Sequence, residues 1–345
     1  MHTSRVARGI DDVAREAGVS TATVSRALRG MTNVSDATRV RVEEAARRLG
    51  YRPSPSAAAL ATGRSRTIGL LTPWINRWYF SNVIEGAERR LRAAGYDALL
   101  YSFAVSERGR TPRVDPEVLR RRVDGILVVG LPLEPVEVRA LEALDVPIVF
   151  VGTGRGEHPV VGIDDVALAR SATQYLLGLG HRRVGHITGT PDDLRSWTPP
   201  EDRRRGWASA LEAVGIRAER SWEEFGFFDI AGGTASTHRL LDRHPELTAI
   251  FVASDEMAMG ALLAARERGL RVPEDLSVVG VDGHDISELV GLTTMAQPVE
   301  EQGSAAAGIM LGLIGAEPVN ADVVRGPLLF PTTLVVRTTA GPPRA

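Results

Sequence analysis

The sequence predicts an all-α N-terminal head with a hinge helix, followed by an α/β core of two doubly wound parallel-sheet subdomains. Two observations predict this arrangement. Short helix-period segments separated by glycine fill the first 63 residues. From Thr67 onward, seven short apolar runs alternate with amphipathic segments, which is typical of parallel strands connected through helices. A series of this length fits two sheets better than one.

Length and composition agree with two or three globular domains. The chain has 345 residues, of which 43% are hydrophobic and 24% are charged, and one domain takes roughly 150 residues. No apolar run reaches the roughly 18 residues of a membrane span, and the first residues carry charge where a signal peptide is apolar. We therefore expect a cytoplasmic protein. The absence of cysteine excludes disulfides, thiolate nucleophiles and Cys-ligated zinc.

Charge is distributed unevenly along the chain. Residues 1–66 contain 12 arginines and 6 acidic residues, whereas the rest contains 29 arginines and 37 acidic residues. A local excess of arginine favours a polyphosphate partner at the N-terminal part. The chain has no lysine, which removes Schiff-base and P-loop lysine chemistry.

Three short helices are predicted in the head. Val13, Ala14 and Ala17 form one apolar stripe that ends at a glycine. A second helix covers residues 21–28 after a serine cap, and a third lies between the cap at 35 and the glycine at 50. This is the pattern of a helix-turn-helix, and a helical bundle used for protein contacts is the alternative. The outward residues of the second helix are Thr21, Ala22, Ser25 and Arg26.

A fourth short helix, the hinge helix, is predicted after the head. Ser54 is an N-cap, Pro55 occupies the first helical position, an alanine run follows and Gly63 stops the helix. Helices shorter than roughly 12 residues are marginal in water, so this one should order only when a partner holds it. DNA is the obvious partner.

The head resembles the lactose-repressor (LacI/GalR) family of bacterial transcription regulators. The resemblance is carried by Gly9–Gly30, Val34–Arg39 and Leu49–Ser54, and it runs without gaps from Asp12 to Leu60. It implies that the second helix lies in the major groove of DNA. The implied base contacts are Thr21, Ala22 and Arg26. The implied supporting or backbone contacts are Thr23, Ser25, Asn33, Ser35 and Tyr51.

The resemblance also assigns a role to the hinge helix. Leu60 becomes a wedge that enters the minor groove beside its symmetry mate and kinks the duplex, with core packing as the alternative role. One position departs from many relatives, because Gly9 stands where they begin the first helix with threonine. A phosphate contact is therefore expected to be lost.

For the rest of the chain the resemblance implies the periplasmic-binding-protein-like core that follows the DNA-binding head in this family. The expected organisation is a head (1–53), a hinge helix and linker (54–66), and a core for effector binding and dimerisation (67–345). The chain is expected to cross between the two subdomains near Val166, Pro298 and Leu329. In such sheets, ligands bind at the carboxyl ends of the strands.

Polar and aromatic side chains follow several predicted strands, where a sugar-like ligand would need them. The positions that match the effector cleft of the family are Tyr79, Phe80, Asp164, Arg203, Phe228, Ser254 and Asp282. Carboxylate and guanidinium groups bond neighbouring hydroxyls, and aromatic rings cover apolar ligand faces. The alternatives are that the aromatic residues are ordinary core residues and that Asp255 caps a helix. Ser254 and Gly283 differ from the asparagine and the acidic residue of many sugar-responsive relatives.

Other function classes find little support. The Gly152–Gly156 segment is a turn and not a dinucleotide loop, because the residues up to Pro159 cannot open a helix smoothly. His181 and His186 have no carboxylates arranged around them as metal sites require, and no Gly-x-Ser-x-Gly elbow is present. A solute-binding receptor would share the core but would carry a signal peptide in place of the head. We expect no enzyme activity, metal or cofactor.

The resemblance implies a repressor that binds a palindromic operator as a homodimer and responds to a small effector, expected to be a sugar or sugar derivative. The effector should change the relative position of the two subdomains and the distance between the paired hinge helices. Inducer and corepressor responses both remain open, since they depend on which cleft state the effector fits. The tail 337–345 has no apolar heptad, so no assembly beyond a dimer is expected.

Overall fold

The structure, a computed structural model, describes residues 9–28, 31, 33–51, 64–103, 114–154, 157–189, 198–318 and 326–344. The chain divides into two compact units, one ending at Ser65 and the other beginning at Arg66. The predicted hinge helix, including Leu60, lies outside the described residues.

The head contains α1 (Ile10–Ala17), α2 (Thr21–Leu28) and α3 (Asp36–Leu49). Valine and alanine line the contacts between these helices, and Val13, Val24 and Val42 are fully buried. Gly18 and Gly50 end α1 and α3 with φ of 65° and 64°. Glycine adopts this left-handed conformation at little cost, so both helices stop where the packing needs a sharp turn.

The core contains two six-stranded sheets. The strands of the first are β1 (Thr67–Thr72), β2 (Asp97–Ser102), β3 (Gly125–Val129), β4 (Ile148–Val151), β5 (Val160–Ile163) and β11 (Leu328–Phe330). Those of the second are β6 (Val184–Thr188), β7 (Glu223–Phe225), β8 (Ala249–Val252), β9 (Ser277–Asp282), β10 (Thr293–Ala296) and β12 (Thr333–Val335). Their orders are β2–β1–β3–β4–β5–β11 and β7–β6–β8–β9–β10–β12, so the two sheets repeat one topology. The pairs are parallel except β10–β12.

Helices cover both faces of each sheet. The first sheet is covered by α4 (Trp78–Ala93), α5 (Pro135–Glu142) and α11 (Val299–Leu313). The second is covered by α6 (Asp165–Gly178), α7 (Thr198–Glu212), α8 (Ile230–Arg243) and α9 (Asp255–Glu267), and α10 (Ile286–Leu289) joins β9 to β10. Neighbouring strand residues serve opposite faces, since Leu70 packs in the cluster with α4 and α11 while Leu71 packs in the cluster with α5.

The chain passes between the two sheets three times. It leaves the first sheet after Ile163, returns after Ala296 through α11, and crosses again between Phe330 and Thr333. Repeated crossing beside the carboxyl ends of parallel strands forms a cleft between two sheets. The architecture confirms the predicted fold class, a helical head and an α/β core of two doubly wound subdomains.

Candidate functional site

The outer face of α2 is the first candidate surface. Thr21, Ala22 and Arg26 are exposed there, because Val24 and Ala27 point into the core of the head. An exposed guanidinium and small methyl-bearing side chains on one helix suit the edges of base pairs in a major groove. The structure therefore leaves the three predicted base-contacting side chains accessible.

Two predicted backbone-contacting hydroxyls, Thr23 and Ser35, lie at capped helix N-termini. Thr23 Oγ1 lies 2.9 Å from Ser20 Oγ at the start of α2, and Ser20 Oγ accepts the Thr23 N–H at 3.2 Å. Ser35 Oγ accepts the Thr38 N–H at 3.4 Å at the start of α3. A hydroxyl that accepts such a bond still has a lone pair for another donor. These caps fix the helix N-termini, where backbone N–H groups attract phosphate.

The remaining predicted contacts of the head differ in exposure. Asn33 is exposed between α2 and α3, whereas Ser25 and Tyr51 are half-buried. Tyr51 packs against the apolar core of the head, which holds its ring beside the end of α3. Leu60 lies outside the described residues.

A cavity lies between the two sheets of the core. The ends of β3, β4, β5 and β9 border it, as expected from the carboxyl-end rule for parallel sheets. Five of the predicted effector residues line it, and these are Tyr79, Phe80, Arg203, Phe228 and Asp282. The topology thus brings together side chains that lie as far apart in the sequence as Tyr79 and Asp282.

Arg203 is the central charge of the cavity. It projects from α7 and is only 6% exposed. Its Nε donates to Asp165 Oδ1 at 2.7 Å, and its Nη1 donates to the Ala253 carbonyl. A buried guanidinium needs such partners, since an unpaired buried charge is strongly destabilising. Asp165 and the Ala253 carbonyl therefore hold Arg203 at the cavity wall.

Asp282 faces the same cavity from the end of β9. Its φ of 123° is unusual for a residue with a side chain, and such strained residues cluster at binding sites. Gln297 Nε2 donates to Asp282 Oδ1 at 2.8 Å. Burial raises the pKa of Asp282 to about 8, although Arg203 opposes the shift. The carboxyl is therefore largely protonated at neutral pH.

Aromatic rings form the apolar wall of the cavity. Tyr79 and Phe80, at the start of α4, pack edge to face with ring centroids 5.1 Å apart. Phe228 contributes a ring from the segment between β7 and α8, and its backbone has a left-handed φ of 57°. Gly189 lies against this ring so closely that any side chain there would clash with it. Position 189 must therefore be glycine for Phe228 to occupy the wall.

Two predicted effector residues do not line the cavity. Asp164 is exposed and caps α6, since its Oδ1 accepts the Ala167 N–H at 2.8 Å. Ser254 caps α9 by accepting the Met257 N–H at 3.2 Å. Both side chains turn toward the first turn of their own helix, as N-cap residues do. Asp165, one residue later, points inward and pairs with Arg203 instead.

Asp255 is a buried anchor behind the cavity and not the cap of α9. Its Oδ2 accepts hydrogen bonds from the backbone N–H groups of Gly283 and His284, at 3.0 and 2.8 Å, and from Ser287 Oγ at 2.7 Å. Its Oδ1 accepts from Thr294 Oγ1 at 2.6 Å. Burial raises the pKa of Asp255 to about 6, and these four donors oppose the shift. The anchor fixes the loop that follows Asp282.

Contacts beside the cavity join the first sheet to the second. Arg77 Nη2 lies 3.1 Å from Asp229 Oδ2. Trp78 Nε1 donates to Asp285 Oδ2 at 3.2 Å, and the Trp78 ring stacks on His284 with centroids 5.1 Å apart. We call these the bridging contacts. They connect the start of α4 and its N-cap residue with loops of the second sheet, so they hold the two sides of the cleft together.

Comparison with known proteins assigns both parts of the chain. Residues 9–54 match the family model for bacterial regulatory proteins of the lacI family, and residues 173–340 match that for a periplasmic binding protein-like domain. The HTH-type transcriptional repressor CytR of Escherichia coli strain K12 is 36% identical over 331 residues, which cover 94% of each chain. The chain belongs to the LacI family of bacterial regulatory proteins.

Solved structures of LacI-family regulators share this fold. The Lac repressor dimer bound to operator and the anti-inducer ONPF has a TM-score of 0.82 and 28% identity, covering 97% of this chain and 100% of that one. The transcriptional regulator CelR in complex with cellobiose has a TM-score of 0.69 and 30% identity, covering 96% and 99%. This LacI-family chain is accordingly a DNA-binding transcription regulator with a periplasmic-binding-protein-like effector domain, and its relatives are regulators and not enzymes.

Three polar residues that line this LacI-family cavity were not predicted from the sequence, namely Asp165, Gln297 and Gln302. The N-cap preference at Asp164 was an available signal, since it leaves the next carboxylate free to turn inward. No local pattern marks the two glutamines.

The described part of this LacI-family chain contains neither a candidate membrane span nor a candidate metal site. No helix there is long and apolar enough to cross a bilayer, and no group of three or more His, Asp or Glu side chains converges as metal ligands. His181 and His186 are both fully buried.

Proposed function

We propose that this LacI-family regulator is a repressor that binds a palindromic operator as a homodimer under the control of a small polyhydroxylated effector, a sugar or sugar derivative. The observation that carries the proposal is the buried group of Arg203, Asp165 and Asp282. Proteins bury charged groups mainly where they are paired or functional. This group faces a cavity with an aromatic wall, which is the arrangement of a ligand site.

The cavity suits a neutral ligand with several hydroxyl groups. An anionic ligand would meet the Asp165 carboxylate, and a cationic ligand would meet the Arg203 guanidinium, which are 2.7 Å apart. Hydroxyl groups can accept from the guanidinium and donate to the carboxyl oxygens. Phe80 and Phe228 can cover an apolar ring face. The relative CelR was solved with cellobiose, so carbohydrate is the first class to test.

For the head we propose that α2 reads the operator in the major groove. Arginine can bond guanine through two hydrogen bonds, and methyl groups can pack on the thymine methyl. The proposed base contacts are Thr21, Ala22 and Arg26. The proposed supporting and backbone contacts are Thr23, Ser25, Asn33, Ser35 and Tyr51. Leu60 is the proposed minor-groove wedge.

Dimerisation is proposed through an exposed apolar face of the second subdomain. The large apolar residues exposed on α8 and α9 and around α10 are Ile230, Leu263, Ile286, Leu289 and Val290. The three helices lie side by side, since α8 packs on α9 and Asp255 ties α10 to the start of α9. Leu289 is 84% exposed. Exposed apolar side chains on neighbouring helices favour burial against a second copy.

Regulation is proposed to act through the cleft. An effector that changes the separation of the two sheets would change the relative position of the paired hinge helices and so the affinity for the operator. An effector that fits the DNA-competent state acts as a corepressor, whereas one that fits the other state acts as an inducer. The sign of the change in operator affinity on adding effector decides between them.

The test pairs ligand binding with DNA binding. A thermal-shift screen against D-ribose, cellobiose and adenine identifies a ligand, because a compound at 100 times its Kd stabilises the fold by about 2.7 kcal/mol. Arg203→Ala should abolish binding of that compound in calorimetry and keep the affinity for an operator selected from random DNA. Arg205→Ala, an exposed arginine on the same helix, should keep both. Normal ligand binding by Arg203→Ala would place the effector site elsewhere.

A further inference from the structure

Gln302 places an unpartnered hydrogen-bond acceptor at the cavity. The residue lies on α11, is fully buried and lines the cavity. Its Nε2 donates to Gln297 Oε1 at 2.9 Å. Among the described residues, its Oε1 has no hydrogen-bond partner. Buried polar atoms are nearly always paired, so an unpaired one beside a ligand cavity points to a partner that arrives from outside.

The direction of this acceptor follows from Asp282. Gln297 Nε2 donates to Asp282 Oδ1 at 2.8 Å, and this leaves Gln297 Oε1 to accept from Gln302 Nε2. An amide that gives its NH₂ group to one neighbour presents its oxygen on the other side. The two amides therefore form a chain that begins at Asp282 in the second sheet and ends at the Gln302 oxygen.

Close packing holds the end of this chain in place. Gly86 on α4 faces the Glu300 carbonyl of α11, and Gly303 on α11 faces the Val83 carbonyl of α4, each without room for a side chain. Two such approaches on neighbouring turns prevent α11 from rolling against α4. Gln302 therefore cannot turn its oxygen away from the cavity by a shift of the helix.

The surroundings of Gln302 also restrict what can pair with it. On the side of the cavity formed by the first sheet, the lining residues Phe80, Gly130, Gly152 and Ile163 have no side-chain donor. Tyr79 carries a hydroxyl on the same side, but no donor of the described residues, this hydroxyl included, lies within hydrogen-bond distance of Gln302 Oε1. A donor for Gln302 Oε1 must therefore come from the bound molecule or from water.

We propose that Gln302 determines effector specificity by accepting a hydrogen bond from an N–H or O–H group of the effector. The inference rests on the proposed effector site and adds a donor position to its ligand, on the face turned to the first sheet. The same ligand would bond Arg203 or Asp282 on the second-sheet side. A hydroxyl of a carbohydrate and a ring N–H of a nucleobase both supply the required donor, and the binding experiment distinguishes them.

The experiment compares variants and ligand analogues. The wild type is screened by thermal shift against D-ribose, cellobiose, adenine and analogues that each lack one hydroxyl or N–H donor. Calorimetry then gives the Kd of the tightest compound for wild type, Gln302→Met and Arg203→Ala. We expect Gln302→Met, which keeps the side-chain volume and removes the acceptor, to weaken binding at least tenfold. One analogue should lose the same factor in the wild type and no further affinity in Gln302→Met.

The outcomes separate this inference from the proposed function. Equal Kd values for wild type and Gln302→Met, with binding lost in Arg203→Ala, would overturn the role of Gln302 and leave the effector site intact. Unchanged binding by Arg203→Ala, or a wild type that no compound of the panel stabilises, would overturn the proposed effector site itself. If Gln302→Met does not melt cooperatively, Gln302→Asn withdraws the same acceptor by one methylene group and gives the same comparison.

Discussion

Replacing Asp282 with asparagine should make the stability of the core less sensitive to pH. Burial raises the pKa of Asp282 to about 8 in the folded protein, although Arg203 opposes the shift, while an unfolded aspartate titrates near about 3.9. The folded protein thus binds this proton more tightly. The resulting stabilisation is present in full below the unfolded pKa and is lost as the pH rises through about 8. Asparagine has the same shape, can still accept from Gln297 and does not titrate.

The magnitude follows from these two pKa values. Since one pKa unit corresponds to about 1.4 kcal/mol, the bound proton stabilises the fold by about 3 kcal/mol at pH 6 and by less than about 1 kcal/mol at pH 8, relative to high pH. The wild type therefore loses about 2 kcal/mol over this interval through Asp282. In a domain of 150–250 residues, 1 kcal/mol shifts Tm by roughly 2–4 °C, and the longer core of this chain lies at the lower end of that range. The Tm of the wild type should therefore fall by roughly 4 °C more than that of Asp282→Asn.

Scanning calorimetry of both proteins between pH 6 and pH 8, at constant ionic strength, measures this difference. The anchor Asp255, whose pKa burial raises to about 6, is present in both proteins, and its negative charge is one of the causes that raise the pKa of Asp282. A Tm difference between wild type and Asp282→Asn that stays the same at every pH would refute the reasoning. It would mean that Asp282 does not hold its proton in the folded protein.

Two further predictions concern assembly and DNA. If the wild type sediments as the proposed dimer, Leu289→Glu should sediment as single chains, because it puts a charge into the proposed apolar face. Val214→Glu, at an exposed valine after α7, should leave the dimer intact. A stable tetramer of the wild type at micromolar concentration would contradict the expectation from the tail. Leu60→Ala should reduce affinity for the selected operator far more than for scrambled DNA across a range of salt concentrations, since a wedge acts only at a site that kinks. Equal losses on both DNAs would place Leu60 in an apolar core.

The helical head and the two-sheet core could be predicted because their signals are local. The valine and alanine stripes and the stops at Gly18 and Gly50 each lie within a few residues of the structure they specify. The strands β1, β3 and β8 are continuous apolar runs, as strands buried on both faces must be. In contrast, β7, β11 and β12 are three residues long and half-buried. Strands of this length are too short to show the alternation of apolar and polar residues that identifies a strand in the sequence.

Sequence motifs alone do not decide which of Asp164 and Asp165 faces the cavity. Both are carboxylates after a predicted strand, and the resemblance pointed to Asp164. In the structure, Asp164 caps the N-terminus of α6, whereas Asp165 accepts a hydrogen bond from Arg203. A helix turns about 100° per residue, so adjacent side chains at its start point in different directions. The decision depends on the first residue of the helix, which sequence patterns locate only to within a few positions.

The two glutamines of the cavity could not be predicted for a different reason. Gln297 lies between a strand of the second sheet and a helix of the first, and Gln302 follows in that helix. Their role at the cavity depends on Asp282, which is 15 and 20 positions away in the sequence, and on the close approach of α11 to α4. Such contacts are determined by the topology of the chain. From the sequence alone, a glutamine in the first turns of a helix is expected to be an ordinary surface residue.

The bridging contacts are weak enough for an effector to change. Arg77 and Asp229 remain 24% and 32% exposed, and partly exposed ion pairs contribute about 1 kcal/mol or less. With the Trp78 hydrogen bond to Asp285, the total is on the order of 1–3 kcal/mol. Allosteric coupling free energies are typically about 1–3 kcal/mol as well. A ligand that bonds Gln302 on one side and Arg203 on the other would act directly on the separation that these contacts maintain, so modest differential binding is sufficient to shift the cleft.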